Sequence, residues 1–192
     1  MSKKQIGIVG GTFNPPHLGH LIIANEVLHA LDLEEIRFMP NHVPPHKEKL
    51  KNITDEERIK MLTLSIKDHP QFKLETIEME RSGPSYTYDT IMLLKNREPD
   101  VDFYFIIGAD MIEYLPKWHK IDELVKQVTF VGVNRPSHSS DTEFPILHIE
   151  IPEINLSSTL IRERLSENRS VKYLLKDSVL EYIKETRLYG TK

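Results

Sequence analysis

The chain is predicted to be α/β, a doubly wound parallel sheet closed by two helices at its C-terminal end. Three observations carry this. Short apolar runs alternate with amphipathic runs along the 192 residues, the pattern of repeated strand–helix units. Phe103-Tyr104-Phe105-Ile106-Ile107 is apolar without a break, as a central strand covered on both faces must be. A turn built from glycine and proline, Gly10 to Pro16, joins the first strand to the first helix, and such sheets hold their ligands at that kind of turn.

Each element follows from its residues. Ile6 to Val9 is the first strand, and Leu18 to Leu31 is the first helix, whose start is delayed to His17 or Leu18 by Pro15 and Pro16. Glu35 to Met39 is a second strand. Pro40 to Ile53 is a loop rich in proline and lysine. Thr54-Asp55-Glu56-Glu57 is a capping box that opens a helix to about Lys67, with Ile59, Leu62 and Ile66 on one face. Phe72 to Met79 alternates apolar and polar, as a strand with one wet face would. Ser82 to Ser85 is a turn before a helix near Thr87 to Asn96. Phe103 to Ile107 ends in Gly108-Ala109-Asp110. A helix from Ile121 to Lys126 leads to a strand from Val128 to Val133. Asn134 to Phe144 reads as loop, Ile146 to Ile151 as a last short strand, and Ser158 to Ser166 and Ser178 to Thr186 as the closing helices. Strand ends of such a sheet share one edge, so the loops after Val9 and Ile107 and before Ser158 are expected to converge.

The totals bound the function. A chain of this length fits one domain, 1–192, with a real core. Its net charge of −4 argues against general nucleic-acid binding. No cysteine is present, which excludes disulfides, thiolate nucleophiles and cysteine metal sites. No run reaches membrane-span length, and Met1-Ser2-Lys3-Lys4 does not open a signal peptide. A cytoplasmic protein is expected, with a homodimer left open.

Chemistry concentrates in Gly10-Gly11-Thr12-Phe13-Asn14-Pro15-Pro16-His17-Leu18-Gly19-His20. Two glycines allow a sharp turn and close approach to a ligand. His17 and His20, three apart in the first turn of the helix, can face one way beside its free N–H groups and positive end. Helix capping, core packing or half of a zinc site are the plain alternatives for this pair, although no third ligand has a recognisable spacing. Ser157-Ser158-Thr159-Leu160-Ile161-Arg162 is the second informative stretch. Its hydroxyls can cap a helix or hold a phosphate, and Arg162 can add a fork to the same anion.

The first string carries neither a Walker lysine nor GxGxxG. It resembles the nucleotidyltransferase superfamily, whose signature His-x-Gly-His follows the first strand. The longer form resembles the bacterial nicotinate mononucleotide adenylyltransferases. The likeness continues in order through Pro44-Pro45-His46-Lys47, Gly83-Pro84-Ser85-Tyr86-Thr87, Gly108-Ala109-Asp110, Lys117-Trp118 and Ser157 to Arg162. Asn14 stands where relatives often have aspartate.

This resemblance implies a Rossmann-like nucleotidyltransferase fold, with the helices from about 157 to 192 completing the ATP site. It implies transfer of AMP from ATP to nicotinate mononucleotide, giving deamido-NAD and pyrophosphate, with Mg²⁺ carried mainly on the ATP phosphates. His17, His20 and Arg162 are the implied catalytic residues. ATP is expected on these three and on Gly10, Gly11, Thr12, Phe13, Gly19, Gly108, Asp110, Ser157, Ser158 and Thr159. The acceptor is expected on Asn41, Lys47, Thr87, Tyr114, Trp118 and Arg135. A helix start at Thr87 suits a carboxylate better than an amide, and the Trp118 indole could stack on a pyridinium ring. On residues alone, Trp118 is equally a packing anchor, and Lys47 and Arg135 are equally solvated loop cations. The same chemistry on another acceptor and a non-catalytic nucleotide sensor remain as rivals.

Overall fold

A computed structural model describes residues 3–42, 53–81, 83–134 and 142–191. Six parallel strands form one sheet in the order β3-β2-β1-β4-β5-β6. They are β1 (Lys4–Gly11), β2 (Glu35–Pro40), β3 (Phe72–Leu74), β4 (Val101–Gly108), β5 (Thr129–Asn134) and β6 (Ile146–Glu150). The helices are α1 (Leu18–Ala30), α2 (Asp55–Ile66), α3 (Thr87–Arg97), α4 (Ala109–Tyr114), α5 (Ile121–Leu124), α6 (Ser158–Ser166) and α7 (Asp177–Glu185). The order doubles back between β1 and β4: the chain first winds outward through β2 and β3, then returns to continue on the other side. That reversal opens a crevice at the carboxyl ends of β1 and β4.

Alternate residues of the strands bury on opposite faces, which is why both faces carry helices. Ile6, Ile8, Phe103, Phe105 and Ile107 pack with Ile91 and Leu94 of α3, Ile112 of α4 and Leu124 of α5. Val9, Phe38, Ile106 and Val131 face the other way, onto Ala24, Val27 and Leu28 of α1 and Leu62 and Ile66 of α2. The C-terminal helices make a third cluster, with Ile161, Leu165, Val179 and Ile183 packed around Met61 of α2.

Three expectations need correction. The strand expected over Phe72 to Met79 stops at Leu74. Glu75 ends it by folding its own carboxylate back onto the Ile77 N–H at 3.2 Å. Met79 N–H then turns back to the Thr76 carbonyl at 2.8 Å. Lys73 is exposed, as expected of a wet face, but Glu75 and Glu78 are inside, each 5% exposed. Glu75 is buried because Arg97 and Arg37 both donate to it, and Arg37 forks onto Glu98 at 2.6 and 2.7 Å. On α2 the buried face holds Arg58, Met61, Leu62, Ser65 and Ile66, not Ile59. Finally, β1 runs through both glycines to Gly11, so neither makes the turn.

Candidate active site

The left-handed backbone position after β1 falls on Phe13, at φ 49°, and the Asn14–Pro15 peptide is cis. Gly10 and Gly11 serve packing instead. A Cβ on either would lie 3.2 Å from a ring atom, of Phe105 and Phe13 respectively. The Phe13 side chain is buried and meets the His20 ring edge-on at 5.0 Å.

His17 is the N-cap of α1, and the His17 and His20 rings stack with centroids 3.6 Å apart. The His17 N–H donates to His20 Nδ1 at 3.1 Å, so a neutral His20 carries its proton on Nε2. The two imidazoles therefore do face one way, and they also cap and pack. Burial lowers the pKa of His17 to about 4. Burial, then the neighbouring His17, lowers that of His20 to about 3. Both rings are neutral at pH 7 before any anion arrives. His17 Nδ1 is buried without a partner among the described residues. Gly19 lies beneath this ring, where a Cβ would come within 3.0 Å of His17 Nδ1. The first N–H of α1 was expected to be free. It is not: Leu18 N–H donates to the Leu174 carbonyl at 2.9 Å.

The second motif is fastened to the first. Ser158 Oγ donates to the Pro15 carbonyl at 2.8 Å, and Arg162 Nη1 donates to the Asn14 carbonyl at 2.7 Å. Arg162 Nη2 reaches Thr159 Oγ1 at 3.1 Å, while Ser157 caps α6 by accepting the Leu160 N–H at 3.2 Å. So Ser157 has the plain capping role, and Ser158, Thr159 and Arg162 gather against the turn after β1. The convergence expected of the first and last loops is present. Gly108 completes it as the N-cap of α4 at the end of β4, beside β1. Its φ of −76° needs no glycine. Asp110 is in the first turn of α4.

The acceptor candidates are partly gathered. Asn41 follows β2, and its N–H donates to the Gly11 carbonyl at 3.0 Å, one strand from the first motif. Thr87 opens α3, which no side chain caps among the described residues. Ser85 ties that helix start to the β2 loop by accepting the His42 N–H at 3.2 Å. Beneath them lies Glu78, whose pKa burial raises, against hydrogen bonds from Thr90 and Ser85. Trp118 meets Phe105 and Phe130 edge-on, with centroids 6.0 and 5.9 Å away, and is half-buried. It is a packing anchor with part of its indole left open. Tyr114 is exposed, with Lys117 Nζ 4.5 Å above its ring. Lys47 and Arg135 lie outside the described residues, as does the side chain of Asp110.

Sequence reasoning missed the residues that hold these loops. Arg58 is 4% exposed and donates to the carbonyls of Thr12 at 2.9 Å and Asn41 at 2.7 Å, and to Asp55 at 2.6 Å. Asp55 also pairs with His42 Nδ1 at 2.5 Å. Tyr189, near the C-terminus, donates its hydroxyl to Asn14 Oδ1. Arg58 had a signal, since it precedes Met61, Leu62 and Ser65 at helical spacing on the buried face. Tyr189 had none.

Among the described residues no helix is long and apolar enough to cross a membrane, and no three His, Asp or Glu side chains could hold a metal ion by themselves.

Comparison with known proteins agrees with this arrangement. The cytidylyltransferase-like family model matches residues 8–164. The nicotinate-nucleotide adenylyltransferase of Bacillus subtilis is 53% identical over 186 residues, covering 97% of this chain and 98% of its own. A protein named "Probable nicotinate-nucleotide adenylyltransferase" from Geobacillus thermodenitrificans is 55% identical over 188 residues, covering 98% and 87%. Among solved structures, Plasmodium falciparum nicotinic acid mononucleotide adenylyltransferase complexed with NaAD superposes with a TM-score of 0.84. It is 24% identical, with 98% of each chain covered, a likeness of fold. By fold, by family match and by identity over nearly its whole length, this chain belongs to the cytidylyltransferase-like family, among the nicotinate-nucleotide adenylyltransferases.

Proposed function

We propose that the chain transfers AMP from ATP to nicotinate mononucleotide, releasing pyrophosphate and forming deamido-NAD. The observation that carries this reading is the joining of the two motifs at the β1/β4 crevice, where Arg162 and Ser158 bond the Asn14–Pro15 backbone. A phosphate monoester is nucleophilic at neutral pH, so in-line attack on the α-phosphorus needs no base and no covalent enzyme intermediate. Catalysis is then alignment and charge stabilisation.

In this reading His20 donates from Nε2 to the α-phosphate region, and His17 stacks behind it. Arg162, Ser158 and Thr159 take the β- and γ-phosphates, while the backbone from Gly10 to Phe13 and Gly108 lines the nucleotide. Arriving polyphosphate favours the charged imidazole and reverses the effect of burial. Mg²⁺ would come with ATP and be held by its phosphates, supplying positive charge where the transfer occurs. Asp110, Lys47 and Arg135 are assigned by position in the chain alone. On the acceptor side, the uncapped start of α3 at Thr87 would take the nicotinate carboxylate, with Trp118 and Tyr114 about the ring and Asn41 at the ribose phosphate.

Pyrophosphate release with Mg-ATP, offering nicotinate and nicotinamide mononucleotides in parallel, tests this. Strong release with the acid and little with the amide is expected. Equal rates would remove the carboxylate site at α3, and silence with both would remove the reaction.

A further inference from the structure

We infer that Arg58 is a positioning residue for the transfer, setting the nucleotide loop and the acceptor loop in register through one buried guanidinium. The inference rests on the function proposed above, because it concerns the two substrates that those loops are to hold.

The β1–β2 ladder ends with Gly11 opposite Pro40. Where it stops, Arg58 takes over: Nη1 bonds the carbonyl of Thr12 and Nη2 that of Asn41, the next residue on each strand. A planar fork fixes the separation of two acceptors in a way an ammonium cannot. The cation is buried, and its only carboxylate partner among the described residues is Asp55, which it shares with His42. Hydrogen bonds from Arg58 and His42 outweigh burial and keep Asp55 below its usual pKa, so the pair stays charged. The chain of contacts continues outward. His42 N–H bonds Ser85 Oγ, and Ser85 bonds the buried Glu78 beneath the start of α3. One continuous set of bonds thus runs from Thr12, which precedes the Phe13 packed on His20, to the helix start assigned to the acceptor carboxylate. A residue serving the core alone would bond core groups; Arg58 bonds the first carbonyl of each loop.

The test compares wild type with Arg58→Lys, which keeps the charge and loses the fork. Misalignment of about 1 Å should lower kcat by about 100-fold, with affinity for a non-hydrolysable Mg-ATP analogue little changed. Hydrogen exchange should show selective loss of protection at Asn41 N–H, beyond any fall in global stability. A variant with near-normal kcat overturns the inference. So does a kcat loss that vanishes at a temperature where the variant is fully folded. If Arg58→Lys does not fold, Asp55→Asn is read the same way, with a smaller kcat loss expected and an unchanged kcat overturning the inference. Wild type that is silent toward the acceptor overturns the substrate assignment instead. The Asn41 exchange then decides alone: selective loss upholds the role of Arg58, and unchanged protection overturns it.

Discussion

Arg162 Nη1 donates to the carbonyl oxygen of Asn14 at 2.7 Å across 148 positions of sequence. The bond aims a cation at the turn after β1 and holds it there before any nucleotide binds. Such preorganisation is what electrostatic catalysis requires, since no side chain must be reordered as charge develops.

Arg162→Ala should therefore cost roughly 2.7–4 kcal/mol of transition-state stabilisation, the range for one preorganised donor. Arg162→Lys keeps a charge but cannot reach both Asn14 and Thr159 in one plane, so it should recover only part of the loss. Steady-state kcat/KM for both variants checks this, and a fully active lysine variant would mean that the fork is unimportant.

Removal of His20 separates its two roles. His20→Ala loses both the acceptor for the His17 N–H and the Nε2 donor, and should also lose roughly 2.7–4 kcal/mol in kcat/KM. His20→Asn can retain the acceptor near Nδ1, so it should melt closer to wild type while remaining slow. Near-normal turnover in either variant would remove His20 from the mechanism.

Acid should weaken the unliganded protein through this pair. The folded pKa values, about 4 for His17 and about 3 for His20, lie below the unfolded value of 6.5. Below pH 6.5 the unfolded chain binds more protons. The stability these groups contribute is full above 6.5 and falls toward pH 4, by ~1.4 kcal/mol per pH unit for each histidine. Denaturant titrations from pH 7.5 to 4.5 should show a shallower fall for the doubly substituted His17→Asn, His20→Asn chain. Parallel curves would contradict the burial argument.

Asn14 is 3% exposed, and its side-chain oxygen is bonded by the Tyr189 hydroxyl. Tyr189→Phe leaves that oxygen buried without this donor, at a cost of about 1–3 kcal/mol. Equilibrium unfolding measures it. Because Asn14 also receives Arg162, kcat should fall as well, and a destabilised variant of unchanged kcat would confine Tyr189 to folding.

Glu75 tests the corrected end of β3. Glu75→Ala removes one acceptor from Arg37 and Arg97, both of which keep Glu98, and frees the Ile77 N–H, so the loss is that of charge-assisted hydrogen bonds, about 1.5–3 kcal/mol. Thermal or urea unfolding should show a loss of that order, with little change in KM for either substrate.

The sheet and the two motifs that meet at the β1 turn were legible because each rests on local pattern. The unbroken run at Phe103 needs cover on two faces, and Ser157 is an N-cap by residue type alone. The end of β3 was not legible. Alternation placed Glu75 outside, and its burial depends on the distant Arg37 and Arg97, as that of Glu78 depends on Thr90 and Ser85. The turn was assigned to the glycines for a similar reason. Gly10 and Gly11 are small because Phe105 and Phe13 crowd them, while Phe13 itself takes the left-handed turn. Helical spacing marked Arg58 as facing inward, but its role was hidden because two of its partners are backbone carbonyls, which carry no residue signature.

The bonds from Leu174 to Leu18 and from Tyr189 to Asn14 have a consequence for synthesis. A turn made early is finished by residues made much later. A nascent chain can lay down β1 to β6 in order, yet the Leu18 amide lacks its Leu174 carbonyl and the Asn14 side-chain oxygen its Tyr189 hydroxyl until those residues emerge. Competence to hold a nucleotide would then wait until residue 189 is made, and chains that stop before it would carry the sheet without these two bonds.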